Sequence, residues 1–163
     1  MRHPFAQTVS SKDATKIRDL TKRILEKETL GFIPVIITPD VWKTQYRFKR
    51  IVEDGITTIF DDSIYLGGKF LTGSSIPERI YIVKSNETEY YIRSYNRPYN
   101  AMLATIITST ILEEVVHAVT RRKYPRADAH GKEFYQEYIK LWKKYYDSLH
   151  FQMIGIYGLD GDY

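Results

Sequence analysis

From Ala101 to Val119 the chain is almost wholly apolar or small, yet Glu113, Glu114 and His117 stand inside that run. Met102, Leu103, Ile106, Ile107, Ile111, Leu112, Val115, Val116 and Val119 make too long an apolar stretch for one strand. Length therefore decides for a buried helix, although the Ile/Thr content of Ala104 to Leu112 would suit a strand. In a helix Glu113 and His117 are one turn apart and Glu114 lies three residues before His117, so all three share a side. Carboxylates within a mostly buried helix are expensive unless they are paired or bound to a cation. The compensation is either a basic partner such as Arg121 or a metal ion, and His130 is the obvious further ligand.

The rest of the chain supplies the scaffold. Ser10 to Asp13 reads as a capped helix start, followed by Ile17, Leu20, Ile24 and Leu25 on one face, with Gly31 as the stop. A short buried strand follows from Pro34 to Thr38. Pro39-Asp40 predicts a second helix through about Val52, carrying Trp42, Tyr46 and Ile51. Strands are expected over Ile56 to Phe60, Ile64 to Phe70, Arg79 to Lys84 and Glu89 to Tyr95, the last two joined by Ser85-Asn86-Glu87-Thr88. Asp61-Asp62 and Gly67-Gly68 mark turns, the aspartates solvated rather than cation-binding. After the central helix, stopped by Pro125, a basic connection (Arg121, Arg122, Lys123, Arg126) leads to a last helix from Gly131 to about Leu149. Its stripe of Phe134, Tyr138, Leu141, Trp142 and Tyr145 is core.

This order predicts an α+β fold: a mixed or antiparallel sheet with the two ligand-bearing helices packed on it. One domain over residues 1–163 is expected, with 1–9 and about 151–163 as loosely ordered arms. The absence of cysteine excludes disulfides and cysteinyl zinc sites and fits an intracellular, cytoplasmic protein. No charge-free apolar run reaches membrane-helix length, and Met1 to Phe5 lacks a signal-peptide apolar region, so no membrane partner is expected. A net charge of +4 is a mild basic bias, consistent with DNA nearby.

Glu-Glu-Val-Val-His at 113–117, followed by His-Gly-Lys-Glu-Phe at 130–134, resembles the SprT-like zincin metallopeptidases. Their pattern is His-Glu-x-x-His on one helix and His-Gly-x-x-Phe opening the next. The likeness covers Asn100 to Tyr145 well and the preceding strands loosely. It implies a compact zincin-like domain in which Glu114 is the general base, and Glu113, His117 and His130 hold Zn2+. It further implies a polypeptide substrate, paired with an edge strand of the sheet and of the DNA-associated kind, with any DNA contact made by the domain's own basic residues. Glu113 is the departure, standing where the family has its first histidine. A carboxylate can ligate zinc, and a two-histidine, one-carboxylate set also suits iron or manganese. The alternative is a catalytically silent SprT-like fold that binds a protein or nucleic acid. An iron-dependent oxygenase shares the ligand types but lacks its usual β-barrel pattern. His3 and His150, in the two arms, have no motif around them.

Overall fold

The computed structural model describes residues 10–41, 43–72, 79–85, 88–94 and 100–158. Its elements are α1 (Ser11–Lys27), β1 (Val35–Thr38), β2 (Gln45–Glu53), β3 (Ile56–Gly67), α2 (Gly68–Leu71), β4 (Arg79–Ser85), β5 (Thr88–Ser94), α3 (Asn100–Lys123) and α4 (Lys132–Tyr157). The fold is α+β. A mixed sheet has the order β1-β3-β2, with β1 parallel and β2 antiparallel to β3. β4 and β5 form a separate antiparallel hairpin in register from Arg79↔Ser94 to Ser85↔Thr88; residues 86–87 at its turn lie outside the described residues.

α3 is the axis of the core. Leu103, Ile107, Ile111, Leu112, Val115, Val116 and Val119 are buried, as are Ile17 and Leu25 of α1, Ile64 and Leu66 of β3, and Phe134, Leu141, Leu149 and Met153 of α4. Among the described residues α3 is the one helix long and apolar enough to cross a membrane, and 61% of its apolar window is buried inside the fold. A helix apolar nearly all round is what a core helix shared by several neighbours requires.

α1 starts as the sequence predicts, with Ser10 Oγ accepting from the Asp13 amide at 3.1 Å. It ends before Gly31, because Thr29 takes the left-handed conformation (φ 62°) and the Leu30 amide returns to the Leu25 carbonyl at 2.7 Å.

The second helix expected from Pro39 to about Val52 does not form. Gln45–Glu53 is β2, paired along its length with β3. Asp54 (φ 51°) and Gly55 (φ 77°) are both left-handed, the requirement of a two-residue hairpin turn whose twist matches its strands. Trp42 lies outside the described residues. β3 is likewise one strand, not two separated by a turn at Asp61-Asp62. Asp61 (φ 51°) is the bulged residue, and the register shifts there, from Arg47↔Ser63 to Lys49↔Phe60. The strand stops at Gly67, three residues before the predicted end, where Phe70 falls in α2. A Cβ on Gly68 would lie 2.7 Å from Pro39 Cα, so only glycine lets Pro39 pass so close. α4 runs to Tyr157, two turns beyond Leu149, and buries Met153; the expected C-terminal arm is helix as far as it is described.

Candidate metal centre

α3 and the connection that leads into α4 carry the predicted ligands to one place. Glu113 Oε1 lies 3.8 Å from His117 Nε2 and 3.5 Å from His130 Nε2. One donor atom from each residue lies within 4.8 Å of the others. A tetrahedral ion with bonds of about 2.0–2.1 Å needs its ligand atoms about 3.4 Å apart, so the two shorter gaps fit and the set closes with small side-chain movements. The imidazoles stand edge to face, with centroids 4.8 Å apart. Both contact Phe134, at 4.5 Å from His117 and 4.9 Å from His130.

His130 sits on the connection between α3 and α4, and that connection is held from α3. Arg121 is buried and its Nη1 donates to the carbonyls of Pro125 (3.2 Å) and Ala127 (2.5 Å). Its guanidinium also lies over the Phe48 ring, 4.9 Å from the centroid. Burial lowers the Arg121 pKa, and Arg50 adds to that. Arg121 is therefore the organiser of the loop that presents His130, not an ion-pair partner for Glu114.

Glu114 faces β2, where its Oε2 accepts a hydrogen bond from the Tyr46 amide at 3.0 Å. Burial pushes its pKa up to about 7; the Tyr46 amide opposes this, Glu113 adds to it and Lys43 opposes it. Burial likewise pushes His117 down to about 4, with His130 and Arg121 adding to the effect. His117 is thus neutral at pH 7 and able to donate a lone pair to a cation. These groups open on a cleft of about 370 Å³, lined on the other side by Lys43, Gln45, Tyr46 and Phe48.

Asp62 is not the solvated turn residue expected. It is buried, holds Arg122 through both oxygens (Nε to Oδ2 2.8 Å, and Nη2 to Oδ1), and accepts from the Tyr46 hydroxyl at 2.8 Å. Burial and Asp62 together raise the Tyr46 pKa. Tyr46 is thereby tied at its backbone to Glu114 and at its side chain to Asp62, and Asp62 returns to α3 through Arg122. The signal was present in the sequence, since Asp62 falls on the same face of β3 as Ile64 and Leu66. Asp61 remains exposed, 3.7 Å from Lys49.

His150 lies far along α4, its Nε2 3.2 Å from Thr105 Oγ1 and its ring stacked on Tyr146. It belongs to the helix pair and not to the site; His3 lies outside the described residues. No family model, curated protein or solved structure matches this chain.

Proposed function

We propose that the protein is a zinc-dependent peptidase of the SprT-like type, its small α+β domain a zincin-like fold. The observation that carries this is the convergence of Glu113, His117 and His130 from two segments of chain, with a second carboxylate, the half-buried Glu114, beside them. Zinc held by the three would supply Lewis-acid polarisation of water and of a peptide carbonyl. Glu114, with a pKa near neutrality, is suited both to accept a proton from water and to return it to a departing amine. Phe134 packs on both imidazoles and keeps their orientation. The edge strand β2 lines the cleft, where an extended peptide would pair with it. By the resemblance, the substrates would be DNA-associated proteins inside the cell.

The Glu113 carboxylate favours a second reading. Its charge lowers the Lewis acidity of a bound ion relative to imidazole and also suits iron or manganese, and on this reading the same fold binds a protein or nucleic acid without turnover. Hydrolysis of an unfolded polypeptide by the zinc-loaded chain separates the two. Peptidase function predicts cleavage that Glu114→Gln abolishes while zinc stays bound, and that Glu113→His, by rebuilding a three-histidine set, increases. A zinc-loaded wild type and Glu113→His that both leave polypeptide intact would establish the binding fold instead.

A further inference from the structure

We infer that the cleft takes extended polypeptide segments rich in Asp and Glu, selected by the cations along β2. This rests on the polypeptide-binding part of the proposed function and specifies which segments are accepted. Among the described residues β2 pairs only with β3, leaving its other edge open. The Tyr46 amide points away from β3 and is held by Glu114 Oε2 at 3.0 Å, so this edge faces α3 and the cleft, and a partner strand would pair with it beyond Tyr46. Lys43 lines the cleft, Arg47, Lys49 and Arg50 are exposed further along β2, and the sequence has no acidic residue from Lys43 to Val52.

These cations are incompletely neutralised. Lys49 lies 3.7 Å from Asp61, but both side chains are mostly exposed and such a pair is weak. The Arg47 guanidinium lies 5.0 Å from the centroid of the Tyr65 ring, and its Nε meets only the neutral Gln45 Oε1, at 3.4 Å. An acidic strand laid along β2 would supply the missing charge while its backbone met the open edge.

The resemblance would give these cations to DNA, and the geometry favours polypeptide. An open strand edge presents amides and carbonyls at the repeat of another strand, which a phosphodiester chain cannot pair.

The test is fluorescence anisotropy on the full chain, with and without zinc. The probes are a labelled peptide with alternating Glu and Ser, its Gln analogue, the Glu peptide N-methylated along its backbone, and a single-stranded oligonucleotide of equal charge. The Glu peptide is expected to bind about five- to tenfold more tightly than the Gln peptide at low salt, the sum of two or three exposed ion pairs. Arg47→Gln/Arg50→Gln should remove most of that preference, and N-methylation should weaken binding at unchanged charge. Equal affinity for the Glu and Gln peptides would overturn the inference. So would unweakened binding of the N-methylated peptide, or tighter binding by the oligonucleotide that displaces the Glu peptide. Acidic preference without any cleavage would remove the peptidase function and leave this inference standing.

Discussion

Glu114 illustrates how one side chain carries opposing demands. Burial disfavours its ionised form, yet the Tyr46 amide solvates that form, and the balance leaves it near pH 7. Its folded pKa lies above the ordinary glutamate value of 4.5, so the folded state binds this proton more tightly than the unfolded chain. The metal-free protein should therefore lose stability from this group as pH rises from about 4.5 to about 7. His117, depressed from 6.5 to about 4, acts in the opposite sense, costing stability as pH falls through that window. Glu114→Gln isolates the first effect. In thermal melts of metal-free protein, the variant should gain on wild type between pH 5 and pH 8, because the amide keeps an acceptor for Tyr46 without a charge. A gap between the two that does not change with pH would mean Glu114 titrates as an ordinary exposed carboxyl. At this scale the sequence was informative about the cluster, because Glu113 and His117 stand one helical turn apart and His130 opens the next short motif. It was silent on Tyr46 and Arg121, whose roles depend on contacts between β2, α3 and the loop before α4.

Among the elements, β2 is the one that the Pro39-Asp40 start signal mistook for a helix. Only Tyr46 in it is buried, because most of the strand is an exposed edge and so lacks an alternating pattern. The Asp54-Gly55 pair was the better guide, since turn chemistry survives where alternation does not. β3 hid its continuity behind Asp61-Asp62, a pair that looks like a turn and is a bulge with one aspartate outward and one inward. α1, α3 and the start of α4 were legible because caps and long apolar faces are local signals. The inward aspartate ties the sheet to α3, which gives a clear expectation. Asp62→Ala removes the partner of Arg122 and of the Tyr46 hydroxyl, and should cost about 2–4 kcal/mol in urea unfolding. The double variant Asp62→Ala/Arg122→Ala should cost less than the two singles summed, since the second change removes the unpaired charge left by the first. Strict additivity would show that the two groups do not act as a pair.

Over the whole molecule, the helix that forms the core also carries two of the three candidate ligands, Glu113 and His117, so metal binding and folding share one element. Ions that bind the folded chain alone stabilise it by mass action, and zinc at about 100 times its Kd should add about 2.7 kcal/mol. That should appear as a rise in Tm of roughly 5–10 °C for a domain of this size. The central claim, that Glu113, His117 and His130 form one metal centre, is tested most directly by titrating zinc into metal-free wild type, His117→Ala and His130→Ala in competition with a chromophoric chelator. One ion per chain should bind the wild type, and each variant should bind at least about 100-fold more weakly, more than the loss of a supporting residue around a metal typically causes. A wild type that takes up no zinc at neutral pH, or variants that bind it as tightly as wild type, would contradict the account.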